Sequence, residues 1–185
     1  MLTAKEAFSS TLGRKFLTAI TGFLMILYLV LHLAGNLSIF SSHPGTFNAY
    51  ANALHKLGPL LTVIEWALLI LFVVHIVIAL GLRWRAYRSR PLKYAEYHSK
   101  DGPSKMGFAS TRLLISGVII GIFVVAHVLQ FRQGPGIHQG YAESVGGVPI
   151  RDLRRLVVET FHHPGWVVFY VFCLVFLGFH LMHDF

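Results

Sequence analysis

The stretch Phe16–Phe40, FLTAITGFLMILYLVLHLAGNLSIF, decides the fold. It carries no charged residue, and a helix of this length reaches ~37 Å at about 1.5 Å rise per residue. That length suffices to cross the ~30 Å hydrocarbon layer of a bilayer. His32 lies within the stretch, and an imidazole in a membrane span is costly unless the interior of a helix bundle uses it. We therefore predict a transmembrane helix built around a functional histidine.

Three further apolar runs repeat this pattern in a chain that is 55% hydrophobic, with a mean hydropathy of +0.61. The runs are continuous and do not alternate, which favours helices over a closed barrel. We predict an all-α transmembrane bundle of four spans, forming a single membrane domain over residues 1–185. The expected spans cover about 16–40, 58–82, 113–131 and 164–185.

The net charge of +8 is explained by where the basic residues lie. Eleven of the 16 Lys and Arg residues belong to the N-terminal segment or to the connection 83–112, and the other five lie in the two remaining loops. By the positive-inside rule, the N-terminus and this connection face the cytoplasm, at a cell inner membrane. We therefore expect membrane lipid as a partner and do not expect nucleic acid.

Each span carries a histidine, and the depths of these histidines match in pairs. His32 and His127 lie 16 and 15 residues into the two outward spans, ~22–24 Å from the inner face. His75 and His180 each lie 16 residues after the proline that opens an inward span, ~24 Å from the outer face. We therefore predict two pairs at two levels, His32 with His127 and His75 with His180.

Two imidazoles at one level, without carboxylate or thiolate companions, do not resemble a four-ligand zinc site. They suit a planar macrocycle held between helices, because two imidazoles fill both axial positions of a haem iron and favour electron transfer over oxygen binding. We predict two haem b groups whose iron is ligated by the four histidines. His183, one turn beyond His180, is the alternative fourth ligand, and a packing role is the alternative for any single histidine.

Several short motifs together resemble one known family over nearly the whole chain. They are Arg14-Lys15, Thr21-Gly22, His32–Leu37, Asn48-Ala49-Tyr50, Leu57–Leu61 with Glu65 and His75, Ser116-Gly117 with His127, and Arg151-Asp152-Leu153. The chain resembles the cytochrome b membrane-anchor subunit of succinate:quinone oxidoreductases, of the single-anchor, two-haem type also found in quinol:fumarate reductases. In that family the first and third spans hold the outer haem, and the second and fourth hold the inner one. That family usually continues into a fifth span, which is absent from this sequence.

The resemblance implies partners outside this chain: a flavoprotein subunit with the dicarboxylate site and an iron–sulfur subunit, together with a quinone, menaquinone by analogy. The chain has no flavin or dinucleotide motif and no cluster ligands, so it would act only as a subunit of a succinate dehydrogenase or fumarate reductase. The resemblance is also compatible with a higher-order oligomer of such complexes. Glu65, a carboxylate inside the second span, is a candidate for proton exchange with quinone, with a hydrogen-bonded structural role as the alternative.

Two other functions remain compatible with the sequence. One is the cytochrome b subunit of a different respiratory enzyme, such as a formate dehydrogenase or a hydrogenase. The other is a haem-free structural or transport bundle, in which the histidines would serve packing or an ion pathway.

Overall fold

The computed structural model describes residues 10–43, 45–89, 106–145 and 147–184, with the side chains of 106–112, 183 and 184 left aside. The helices are α1 (Thr11–Asn36, continued by a 3-10 turn at Leu37–Phe40), α2 (Thr46–His55), α3 (Pro59–Arg88), α4 (Met106–His127, continued by a π-helical turn at Val128–Arg132), α5 (Leu153–Phe161) and α6 (Pro164–Asp184). A 3-10 turn at Ile137–Gln139 precedes two short strands, β1 (Ala142–Val145) and β2 (Val148–Arg151).

Four helical segments in the described residues are long and apolar enough to cross a membrane. They cover Thr11–Phe40, Pro59–Arg88, Leu113–Arg132 and Pro164–Met182. The prediction of an all-α transmembrane fold with four spans is therefore confirmed, and the chain is a multi-pass membrane protein.

The connection predicted at 83–112 is shorter than expected, because helix occupies both of its ends. α3 continues past the predicted end at Leu82 to Arg88, and α4 begins at Met106. Arginine is a good helix former, and its long stem lets the charged head reach water from a helix that leaves the membrane. The rest of this connection, residues 90–105, lies outside the described residues.

The chain divides into two compact units, and the prediction of a single membrane domain stays a prediction. The first unit comprises Met1–Ala34 and Gly58–Ser104, and the second comprises Gly35–Leu57 and Lys105–Phe185. In the first unit α1 and α3 run antiparallel. Arg14 of α1 lies beside Gly81 of α3. About two turns further along α1, Thr21 meets His75, which comes earlier in α3.

The second unit pairs α4 with α6, also antiparallel, since Ser116 meets His180 and Gln130 meets Tyr170. Between these helices the chain forms an antiparallel hairpin of β1 and β2, in which Val145 pairs with Val148. Gly147 turns the chain at a φ of 82°, in the left-handed region where glycine carries no steric penalty. The predicted all-α fold contained no strand here.

A buried amide joins α2 to the hairpin and to α5 within the second unit. Asn48 is only 2% exposed. Its Nδ2 donates to Glu143 Oε2 at 2.5 Å and to Asp152 Oδ1 at 2.8 Å, and its Oδ1 accepts from the Arg154 N–H at 2.8 Å. A buried polar group is stabilising only when it is hydrogen-bonded, and here both donor hydrogens and the carbonyl oxygen are satisfied. This amide therefore fixes how the loops of the unit are joined.

Candidate functional site

The two histidines predicted near the outer face share one kind of neighbour. His32 is half-buried in α1, and its ring stacks on that of Tyr28 with centroids 5.5 Å apart and planes at 23°. His127, the last residue of α4, lies 5.7 Å from the ring of Phe123 at 31°. In both helices the aromatic residue precedes the histidine by four positions, so the two side chains lie on one helix face. Each imidazole is thereby oriented by a ring from its own helix.

His127 also belongs to a wider aromatic cluster in the second unit. Its ring centroid lies 5.4 Å from that of Phe131 and 6.2 Å from that of Tyr170. Tyr170 is 7% exposed, and its hydroxyl donates to Gln130 Oε1 at 2.7 Å. The π-helical turn Val128–Arg132 contains both Phe131 and Gln130. Such turns re-aim side chains within a helix and often occur at functional sites.

The histidine of α3 is held by a hydroxyl from α1. His75 is 9% exposed, and its Nδ1 lies 3.0 Å from Thr21 Oγ1. The same hydroxyl lies 2.8 Å from the carbonyl oxygen of Leu17 and 3.0 Å from that of Thr18. Thr21 itself is 7% exposed, so this contact is shielded from water.

The histidine of α6 is held in the same way by α4. His180 Nδ1 lies 3.0 Å from Ser116 Oγ, which donates to the carbonyl oxygen of Leu113 at 3.0 Å. Ser116 is 2% exposed. The first and second units thus contain the same arrangement: a helix hydroxyl bonded back to its own helix, with an imidazole nitrogen of the neighbouring helix against it.

This arrangement favours one position of the imidazole proton, on Nδ1. A hydroxyl has one proton, and here a backbone carbonyl accepts it, so the oxygen is left to accept from the Nδ1–H of the histidine. A neutral imidazole with its proton on Nδ1 has its lone pair on Nε2. His75 and His180 are therefore both set up as Nε2 ligands. Metal-binding histidines are commonly oriented in this way, by a partner on the other ring nitrogen.

A glycine follows each of the two hydroxyl residues. A Cβ added to Gly22 would lie 3.5 Å from His75 Cε1, and one added to Gly117 would lie 3.7 Å from His180 Cε1. Both distances are ordinary van der Waals contacts, so a methyl group would fit but would cover the carbon beside Nε2. The Thr-Gly and Ser-Gly pairs thus supply a hydrogen-bond acceptor and place the adjacent imidazole edge against a glycine.

The spacing along the outward helices repeats as well. Thr21 precedes His32 by 11 residues, and Ser116 precedes His127 by 11 residues. Eleven residues of helix correspond to ~16 Å. Because His75 lies at Thr21 and His180 lies at Ser116, each unit holds two histidines at levels ~16 Å apart, measured along α1 in the first unit and α4 in the second.

Sequence reasoning missed the roles of Thr21 and Ser116. Both residues belong to motifs of the family resemblance, but nothing in their local sequence pointed to a histidine on another helix. The signal that could have found them is a sequence repeat. A hydroxyl residue is followed directly by a glycine, seven residues later by an aromatic residue, and eleven residues later by a histidine.

The pairing of the histidines stays a prediction. Each proposed pair, His32 with His127 and His75 with His180, takes one member from each of the two units. His183 lies in α6, but its side chain is not among those described, so the choice between it and His180 rests on the contact of His180 with Ser116. Within the described residues, no group of three or more His, Cys, Asp and Glu side chains is placed to hold a metal ion.

Comparison of the chain with protein-family models, with curated proteins and with solved structures gave no match. The site must therefore be interpreted from its own chemistry.

The carboxylate predicted for proton exchange lies in the first unit. Glu65 is half-buried in α3, ten residues before His75, which corresponds to ~15 Å of helix. Because α1 and α3 are antiparallel and His75 lies at Thr21, Glu65 lies near the level of His32. The structure thus places the carboxylate near the level of His32 along the α1–α3 pair.

Outside the spans, a small charged cluster stabilises the segment between α4 and α6. Tyr141 donates its hydroxyl to Glu159 Oε2 at 2.6 Å, and Arg155 Nε contacts Glu159 Oε1 at 2.7 Å. The Arg155 guanidinium also lies 5.0 Å from the centre of the Tyr141 ring. The hydrogen bond from Tyr141, followed by the one from Arg155, lowers the pKa of the Glu159 carboxyl below its usual value. The hydrogen bond to Glu159 raises the pKa of Tyr141.

Proposed function

We propose that this chain is the di-haem cytochrome b membrane-anchor subunit of a succinate dehydrogenase (succinate:quinone oxidoreductase), relaying electrons between an iron–sulfur subunit and a membrane quinone, menaquinone by analogy. The observation that carries the proposal is the repeated contact of a buried helix hydroxyl with histidine Nδ1, at Thr21–His75 and at Ser116–His180. A histidine that served only packing would not need the same tautomer at equivalent positions of two units.

The donor set fits a haem iron. Imidazole nitrogen is a preferred axial ligand of haem in electron-transfer proteins. A haem b ligated by two imidazoles would supply an iron centre that takes up and releases one electron without binding oxygen. His75 and His180 would ligate at one level, and His32 and His127 at the other.

The residues around the ligands perform separate tasks. Thr21 and Ser116 hold the proton on Nδ1 and orient the rings, which also increases the basicity of the ligating nitrogen. Gly22 and Gly117 let the Cε1 edges of His75 and His180 lie close to the neighbouring helices.

Glu65 is proposed to exchange protons with the quinone near the outer level. Quinone reduction and quinol oxidation transfer protons together with electrons, so a site needs a group that accepts and returns them. The support is positional: Glu65 is half-buried in α3 and lies at the depth of His32.

The partners and the location follow from the resemblance and the charge distribution. A flavoprotein subunit and an iron–sulfur subunit would bind at the cytoplasmic face of the inner membrane. The N-terminus would lie on the same side, because basic residues concentrate in the N-terminal segment and in the connection 83–112. The chain itself would contribute ligands and a membrane anchor, while the partners would contain the dicarboxylate chemistry.

The test is a dithionite-minus-oxidised spectrum with pyridine haemochrome quantitation. We expect about two b haems per chain in the wild type, since two axial ligands are needed per haem. His32→Ala and His75→Ala should each remove or alter one, while His55→Ala, an exposed histidine at the end of α2, serves as the matched control.

Absence of haem from the wild type would refute the proposal and favour the structural or transport bundle. Haem with the expected ligand dependence, but co-purification with a molybdenum or nickel protein and no flavoprotein, would indicate a subunit of a formate dehydrogenase or hydrogenase.

A further inference from the structure

A second candidate site lies at the basic end of the first unit, away from the histidines. A hollow of about 580 Å³ opens beside the last turns of α3. It is lined by Leu80, Gly81, Arg83, Trp84 and Tyr87. Trp84 and Tyr87 are 60% and 76% exposed, so the hollow is open at the surface of the helix. The lining is apolar except for one guanidinium and the polar edges of two aromatic rings.

The glycine in this lining is approached by an arginine of the other helix. A Cβ added to Gly81 would lie 3.3 Å from Arg14 Nη1, a tighter contact than most Cβ atoms make. The Arg14 guanidinium of α1 therefore lies beside the backbone of Gly81, a residue that lines the hollow. Arg83 thus brings one positive charge to the hollow itself, and Arg14 brings a second to the neighbouring backbone at Gly81.

The charge around the hollow is strongly one-sided. The described residues of the first unit contain five Lys and Arg residues, all towards this end, and a single carboxylate, Glu65. Glu65 precedes Gly81 by 16 residues, about 24 Å along the helix. Arg88 extends the basic surface, since its guanidinium lies 5.4 Å from the centre of the Trp84 ring.

An apolar recess rimmed by arginine and interfacial aromatic residues matches one class of ligand. Trp and Tyr concentrate where membrane spans meet the headgroups. Basic recesses between spans bind anionic headgroups. A guanidinium can donate hydrogen bonds to two phosphate oxygens at once, so its contact with a phosphate is directional, unlike the attraction of a diffuse positive surface. We propose that this recess binds an anionic phospholipid, with its phosphate at Arg83 and an acyl chain along Leu80 and Gly81.

The experiment is native mass spectrometry of the full chain after detergent delipidation and incubation with phosphatidylglycerol or phosphatidylcholine. The wild type should retain phosphatidylglycerol preferentially. Arg83→Gln should weaken retention about tenfold or more, as expected for loss of a charge-assisted hydrogen bond to the phosphate. Arg85→Gln is the matched control, because it removes the same charge from the same turn but does not line the hollow. Its effect should stay below about twofold, as for a diffuse surface charge.

Gly81→Leu tests the recess independently of charge, since the new side chain fills the hollow and displaces the Arg14 guanidinium. It should weaken phosphatidylglycerol retention by at least as much as Arg83→Gln. Equal losses in Arg83→Gln and Arg85→Gln would overturn the proposal in favour of diffuse attraction. Displacement of the lipid by millimolar inorganic phosphate would indicate a simple anion site. Equal retention of the two lipids by the wild type would also overturn it.

Discussion

Replacing Thr21 with valine isolates the hydroxyl that sets the tautomer of His75. Valine keeps the shape of threonine and removes only the oxygen, which lies 3.0 Å from His75 Nδ1. The Nδ1–H would then have no acceptor at this position, and a buried donor without its partner costs about 1–3 kcal/mol. Loss of such a partner typically weakens metal binding ~10–100-fold, which corresponds to about 1.4–2.8 kcal/mol. We expect Thr21→Val to weaken haem retention within this range.

The assay is the transfer of haem to excess apomyoglobin, followed by the Soret band, together with a potentiometric titration of the α-band. The matched control is Thr18→Val, one turn earlier in α1, because Thr18 Oγ1 donates to the Arg14 carbonyl at 2.9 Å and so makes the same kind of back-bond. Thr21→Ser should restore retention and midpoint potential, since it keeps the oxygen. If Thr18→Val and Thr21→Val lose haem equally, the hydroxyl acts on the helix alone and the tautomer argument fails.

Three further predictions concern other parts of the chain. Asn48→Leu leaves two carboxylates and a backbone N–H without their amide partner, so the free energy of unfolding, measured by thermal denaturation, should fall by about 2–4 kcal/mol. Limited proteolysis should increase most in the loops of the second unit. Tyr141→Phe removes the main cause of the lowered pKa of Glu159, so carboxyl NMR should show that pKa rising towards 4.5. In the wild type, the stability that Glu159 contributes is present above the ordinary pKa of a glutamate and is lost as the pH falls through its lowered pKa. The variant should lose part of this contribution. An unchanged Glu159 titration would contradict the assignment. Glu65→Gln should slow quinone reduction at least tenfold, as for loss of a general acid–base group, while leaving the haem content unchanged.

The spans could be predicted from the sequence because membrane crossing depends on length and apolar composition, which are local properties. The depths of His32 and His75 followed from counting residues at a fixed rise per residue. The prolines at 59 and 164 also marked the helix starts, since proline fits the first turn. These features need no knowledge of which helices contact each other.

The hydroxyl partners and the hairpin could not be predicted in the same way. Thr21 and His75 are 54 residues apart, and Ser116 and His180 are 64 apart, so their contacts depend on the rotation of each helix about its axis. The hairpin strands are only four residues each. β1 does not alternate, and in β2 a proline at position 149 argues against a strand despite the apolar Val148 and Ile150.

The repeat explains how one short chain can present ligands at two depths. In each unit the outward helix determines both levels, one by its hydroxyl and the other by its histidine 11 residues later. The inward helix then needs only one histidine, aligned with the hydroxyl. Each unit consequently contains one imidazole per level. Under the proposed function each haem would take two axial imidazoles, so each predicted pair would need one histidine from each unit.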